Sequence, residues 1–352
     1  MIALDNLILK LLILKARLLL GFSIIGILGC ENKTQTFELN GYTMGTTYSV
    51  VYLQNQYFVE KEVLQQQVDS LLNKLNLQMS TYIENSEISQ FNSLNEKRTF
   101  TPSSEFFEVV SRSQNISNQT RGAFDITIMP LVNLWGFGPG FKKNISVPKK
   151  DEIDEILKNS GFKNLIVSHN SISKKTPSLK IDLNAVAKGF AVDCVSELLE
   201  KWKIRNYLVE IGGEIRCLGA NSEGNFWTIG IDKPISEANS QRKIESILKI
   251  SNSAVATSGD YRNFFEDNGT IYSHIINPYT GYPVKNRVAS ATVIAPFCTE
   301  ADAWATALLV MGEKGIEKIE NLEGYEAILY IRKENKFQKI MTSGINSIML
   351  NP

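Results

Sequence analysis

The chain is poor in the side chains and signatures on which the commonest metal and nucleophile chemistries rest. It has only two histidines in 352 residues, His169 and His274, too few for a histidine-rich zinc site. No GxGxxG follows a strand-like segment, and no Walker A lysine loop, HExxH helix or GxSxG elbow occurs. Excess charge of either sign is also missing, with 37 basic and 37 acidic side chains. Without a basic surplus, composition gives no sign of the basic surface that releases phosphate counterions, which argues against a nucleic-acid binder. A hydrophobic share of 43% and a charged share of 21% argue against disorder or coiled coil as the main state. If a metal is used, it is a hard cation held by carboxylate, hydroxyl and carbonyl oxygens, Mg²⁺ or Ca²⁺.

The first thirty residues differ from the rest. They are nearly all apolar, broken by Asp5, Lys10, Lys15 and Arg17. The apolar run Leu18 to Gly29 has signal-peptide length and is short for a spanning helix. It ends Ile27-Leu28-Gly29-Cys30 and turns polar at once with Glu31-Asn32-Lys33. That ending resembles a bacterial lipobox, in which cleavage before Cys30 leaves a lipid-bearing cysteine. An uncleaved anchor is the alternative, and both place the remaining chain outside the cytoplasm, held at the cell membrane. Cys194, Cys217 and Cys298 are widely spaced, form no CxxC and are expected to be buried, inert thiols.

Periodicity then sets the elements. Thr34 to Leu53 alternates around Gly41 and Gly45, a hairpin pattern. Val63, Leu64, Val68, Leu71, Leu72 and Leu75 recur at helical spacing within Val59 to Leu77. Further helices are expected at Glu87 to Leu94, after Pro102, at Lys150 to Lys158, Ala185 to Lys201, Ala301 to Met311 and near Ile316. Gly136 to Pro148 reads as a loop. Strands are expected near Leu165 and Leu179, repeatedly from Tyr207 to Ile276, over Val288 to Ala295, and around Ile328 and Ile340. Runs of helices and strands without βαβ alternation give an α+β class, with mixed or antiparallel sheets flanked by helices in one large domain.

Several segments carry possible chemistry, each beside a plainer reading. Asp302 and Thr306 are four apart at the start of a helix, so a carboxylate and a hydroxyl share one face and can share a hard cation. Thr299-x-x-Asp302 is equally a capping box. Asp182-Leu183-Asn184-Ala185-Val186-Ala187-Lys188-Gly189 leads from a strand into a helix, whose N-terminal turn suits phosphate, with Asp182 as ligand or base. Asn184 as an ordinary N-cap with an exposed Lys188 is the other reading. Gly212-Gly213-Glu214 and Thr257-Ser258-Gly259 are turns that let a backbone approach a phosphate, or simple bulges. His274 precedes the turn Asn277-Pro278-Tyr279-Thr280-Gly281, and a lone histidine is structural or catalytic.

Taken in order, these segments resemble the ApbE family of flavin transferases, often exported as lipoproteins. The resemblance runs from about Tyr42 to Gly312. It rests on Met44-Gly45-Thr46-Thr47-Tyr48, Met79-Ser80-Thr81-Tyr82, Ser86 to Asn92, Gly122-Ala123-Phe124-Asp125-Ile126-Thr127, and then the Asp182, Gly212, Thr257, His274 and Asp302 segments. It implies a signal peptide over residues 1–29 and one ApbE-like domain over 30–352. The implied reaction is Mg²⁺-dependent: FAD is split, AMP leaves, and FMN is joined by a phosphoester to a Thr or Ser of a target protein. Implied targets are flavoprotein subunits of Na⁺-pumping NADH:quinone reductase or of Rnf-type complexes.

By similarity, Met44, Tyr82, Ala123, Phe124, Asp125, Asp182, Lys188 and Ile276 would bind FAD. Asp302 and Thr306, with main-chain oxygens of Ala185 and Ala305, would bind the metal. His274 is the candidate base or orienting group. The family often has Asp where this chain has Asn277, and Asn is expected to keep the same turn. Two other activities fit the same residues: hydrolysis of FAD to FMN and AMP, or flavin binding without turnover.

Overall fold

Alternation in the first described segment produces two nine-residue strands, β1 (Gln35–Thr43) and β2 (Thr46–Gln54). Thr43 pairs with Thr46, so the connection is the two-residue turn Met44–Gly45, with φ of 49° and 74°. Two positive φ values make the turn whose twist matches that of its strands. Glycine adopts this conformation freely, whereas Met44 does so against its own Cβ. The computed structural model describes residues 34–54, 59–95, 98–139, 146–234, 243–260, 264–334 and 336–350. The leader-like segment and Cys30 lie outside the described residues.

Helices fill the next stretch: α1 (Lys61–Met79), α2 (Glu87–Ser93), α3 (Ser104–Gln119), α4 (Met129–Leu134) and α5 (Lys150–Asn159). On α1 the residues Leu64, Val68, Leu72, Leu75 and Met79 are buried, one stripe at helical spacing. A small hairpin, β3 (Leu165–Ser168) and β4 (Ser171–Lys174), precedes α6 (Ala187–Lys201). Strands β5 (Asn206–Ile211), β6 (Glu214–Leu218), β7 (Trp227–Asp232), β8 (Ile244–Ile250), β9 (Ser253–Gly259), β10 (Phe264–Asp267), β11 (Thr270–Ser273) and β12 (Val288–Ala295) follow. The chain continues through α7 (Cys298–Met311), α8 (Ile316–Glu320), β13 (Glu326–Lys333), β14 (Lys336–Met341), α9 (Ile345–Ile348) and β15 (Met349–Leu350).

The main sheet has the order β1-β2-β5-β6-β9-β12-β13-β14, and every adjacent pair is antiparallel. All eight residues of β12 are buried, because both faces are covered at that point. On one face Ala291, Val293 and Ala295 share a core with Trp304 and Leu308 of α7. Ile294 turns the other way, joining Ile328, Trp227, Ile229 and Leu248 under the second sheet, β15-β8-β7. This is the α+β arrangement expected from the sequence.

Several boundaries differ: α1 is Lys61–Met79 where the periodicity gives Val59 to Leu77, and α4 has no counterpart in the sequence reading. No named strand forms at Leu179; Lys180 makes a single parallel bridge with Ile128, and β4 is the partner of β3. The helix expected from Ala185 starts at Ala187, and the one expected from Ala301 starts at Cys298. The start of α7 is set by a side chain from outside it, Asp193 of α6.

Lys174 at the end of β4 is 2% exposed. Its Nζ donates to the carbonyls of Asn92 and Leu94, each at 3.1 Å, and lies 5.0 Å above the Phe91 ring. Burial, with a smaller contribution from Lys180, pushes its ammonium down to about 8. The folded state therefore holds this proton less tightly than the unfolded chain, so stability should rise with pH from about 8 toward the ordinary lysine value. Denaturation midpoints of the protein and of Lys174→Met across that window check this, since the variant should lose the slope.

Candidate functional site

A cavity of about 1130 Å³ opens between the β1–β2 turn, the C-terminal end of α1, the start of α6, and the face of α7 that carries Asp302 and Thr306. Twelve of the thirteen residues singled out within the domain line it: Met44, Tyr82, Ala123, Phe124, Asp125, Asp182, Ala185, Lys188, His274, Ile276, Asp302 and Thr306. They come from segments more than 250 positions apart and meet only in the fold. Ala305 is the exception. It is fully buried within α7, and a mid-helix carbonyl is turned along the axis into the helix's own ladder.

The position of Asp302 follows from how α7 begins. The Thr299–Asp302 capping box is not formed, because the helix starts at Cys298 and both residues lie inside it. The cap comes from α6: Asp193 accepts from Cys298 N and Thr299 N, each at 2.9 Å, and from Thr299 Oγ1 at 2.6 Å. A carboxylate there faces the positive end of the helix dipole. Asp193 is 1% exposed and is also 3.0 Å from Arg216 Nη1. One turn earlier on α6, Gly189 N donates to Asp302 Oδ2 at 3.1 Å. A Cβ on Gly189 would lie 2.4 Å from the Cys298 carbonyl oxygen, so only glycine permits this approach. Thr306, one turn beyond Asp302, is 3.1 Å from the Ser258 hydroxyl.

Asp302, Thr306 and Ala185 all meet the cavity. Among the described residues no group of three His, Cys, Asp or Glu gathers to hold a metal. One carboxylate, one hydroxyl and a carbonyl form too small a set for a closed protein site. They suit Mg²⁺, which is commonly held by one or two carboxylates and completed by substrate phosphates.

The Asp182 segment is not an N-capped helix start. Asp182 Oδ1 accepts from Asn184 N at 2.8 Å, which makes a local turn, and α6 begins with no side-chain cap. Asn92 holds the preceding residue like a missing strand: its side chain donates to Ile181 O and accepts from Ile181 N, each at 2.8 Å. Asp125 is tied to Thr127 N, Thr127 Oγ1 and Phe162 N at 2.7–2.8 Å. Burial pushes the carboxyls of Asp125 and Asp182 up, while these donors pull them back down. Asp125 thus shapes the wall through its loop.

Aromatic side chains form another wall. Phe137 meets the His274 ring edge-on, with centroids 6.3 Å apart, and stands 5.6 Å from Phe265. Asn277 Oδ1 accepts from Tyr279 N at 2.9 Å and Thr280 N at 3.3 Å, so asparagine does hold the turn after His274. Lys188 is not a freely exposed lysine; its Nζ lies 2.5 Å from Glu214 Oε1. Cys194, Cys217 and Cys298 are free thiols. Burial raises all three, Cys217 to about 12, so they are inert at neutral pH.

Sequence reasoning misses Asp193 and Phe137, and it gives Asn92 no role although that residue closes the segment Ser86 to Asn92. Glu214 is visible beside Gly212-Gly213, but the turn reading uses only backbone there and gives the acid no role. Replacing Asp193 with Ala should cost about 3 kcal/mol, because it uncaps α7 and leaves the Arg216 guanidinium only its longer ion pair with Glu200 at 3.6 Å. Chemical denaturation of Asp193→Ala measures this directly, and an unchanged midpoint would remove the capping argument.

Residues 44–329 match the ApbE family. An FAD:protein FMN transferase of Vibrio cholerae is 39% identical over 327 residues, covering 93% of this chain and 97% of that protein. One from Escherichia coli K12 is 33% identical, covering 92% and 94%. The solved flavin transferase ApbE from Vibrio cholerae superposes with a TM-score of 0.81, covering 90% of this chain and 99% of that one, at 39% identity. The apo flavinyl transferase ApbE of Pseudomonas stutzeri gives 0.81 at 34% identity, covering 90% and 97%. On sequence and fold alike, the chain belongs to the ApbE family.

Proposed function

We propose that the protein is an FAD:protein FMN transferase, using Mg²⁺ and releasing AMP. The supporting observation is the convergence of twelve scattered residues on one cavity, at 1130 Å³ larger than a typical drug-sized pocket and suited to a dinucleotide. Tyr82 and Met44 offer surfaces for the flavin end, and Lys188 offers an ammonium for the diphosphate. Asp302, Thr306 and the Ala185 carbonyl would hold Mg²⁺. When bound, that ion neutralises the diphosphate and stabilises charge developing at phosphorus. The target's Thr or Ser oxygen attacks the FMN phosphorus, the bond to the AMP phosphate breaks, and His274 takes the hydroxyl proton.

The acceptors we infer are flavoprotein subunits of Na⁺-pumping NADH:quinone reductase or Rnf-type complexes. Incubation with FAD, Mg²⁺ and such a subunit, whose acceptor motif by family resemblance is similar to Ser-Gly-Ala-Thr, should add the mass of one FMN to the target. Asp302→Ala should lower the rate by roughly 100-fold with unchanged circular dichroism. Free FMN and AMP beside an unmodified target would replace this reading with a pyrophosphatase, and intact FAD would leave only a flavin binder.

We infer too that Cys30 carries lipid and holds the domain at the extracytoplasmic face of the membrane. Cys30→Ala should abolish labelling with radioactive palmitate; continued labelling would discard the lipobox.

A further inference from the structure

The Lys188–Glu214 pair is built differently from surface lysine pairs of this chain. Lys74–Glu105 and Lys150–Asp154 join side chains at the surface, with lysines 54% and 75% exposed. The Glu214 side chain is only 2% exposed, at the first residue of β6, paired with Ile211 across the Gly212–Gly213 turn. Both glycines have positive φ, 62° and 103°. The aliphatic stem of Lys188 lies against that turn: a Cβ on Gly212 would be 3.3 Å from Lys188 Cδ and 2.8 Å from Thr46 Cγ2. Lys188 is thus confined between a bare backbone turn and a buried carboxylate while its side chain, 28% exposed, meets the cavity.

The carboxylate itself is incompletely satisfied. Oε1 faces the Lys188 ammonium, but Oε2 is buried and accepts no hydrogen bond among the described residues. A buried charged oxygen without a donor costs stability, and natural chains tolerate such costs chiefly at functional sites. We propose that Glu214 is the positioning residue of Lys188: it tethers the ammonium at one point of the cavity wall, set for the charge that develops on a dinucleotide's diphosphate. An untethered lysine would have to be ordered during reaction, losing the rotational freedom of its long stem at that moment. Glu214 partly offsets the lysine's charge, so its contribution lies in orientation and appears in turnover more than in affinity. The inference rests on the flavin-nucleotide reading of the cavity.

Three readouts on the full protein test it: FAD titration by flavin fluorescence, turnover at saturating FAD and Mg²⁺, and the unfolding temperature. In Glu214→Gln, turnover should fall roughly tenfold, the FAD dissociation constant should stay within about threefold, and unfolding should occur at the same temperature or higher. In a Lys188→Met background the same substitution should change turnover no further, since Glu214 acts through that lysine. Wild-type turnover in Glu214→Gln, or an equal loss in the Lys188→Met background, would overturn the tether. A lowered unfolding temperature with binding and turnover lost together would overturn it in favour of a structural role. If the wild-type protein neither binds nor consumes FAD, the flavin reading falls first and takes this inference with it.

Discussion

The contact between α6 and α7 is the constraint on which the rest of the site depends. Two residues one turn apart on α6 make it: Asp193 caps the start of α7, and Gly189 lends its N–H to Asp302. Because Gly189 has no Cβ, the helices approach closely enough for Cys298 O to lie where a methyl would otherwise sit. The same α6 carries Lys188, so a cation and an acid reach the cavity wall from neighbouring helices. The sheet supplies the fixed base, since α7 lies against β12, which is buried on both faces.

Around this base the protein places groups that a purely structural design would avoid. Asp125, Asp182, Asp302 and Glu214 are each under 10% exposed and all line one cavity. Burial raises the carboxyls of Asp125 and Asp182, and loop N–H groups offset this only in part. Met44 adopts a left-handed conformation at the cavity edge. Costs of this kind cluster where geometry matters more than stability. The scaffold meets them with a large apolar interior, from Trp304 and Phe190 on the helices to Tyr48 and Val50 on the sheet.

Most elements are legible in the sequence because their signals are local. The alternation of Thr34 to Leu53, the leucine stripe of α1 and the apolar run of β12 each specify an element without outside help. Family motifs also mark most of the cavity wall, since ordered short segments survive where single residues carry little information. What local reading misplaces are the boundaries and plain alternatives that depend on a distant partner. The box at Thr299–Asp302 is absent because Asp193, more than 100 positions earlier, supplies a better acceptor. Asn184 is not a cap because Asp182 draws its N–H into a tighter turn.

By itself, then, the sequence determined the α+β class, the hairpin, the principal helices and the family, because each follows from periodicity or from ordered motifs within short windows. Only the tertiary structure decided which acid caps which helix, that Ala305 stays inside, and that Glu214 stands behind Lys188. Those outcomes depend on distances between segments that the chain brings together only on folding, and neither helical nor strand spacing encodes them.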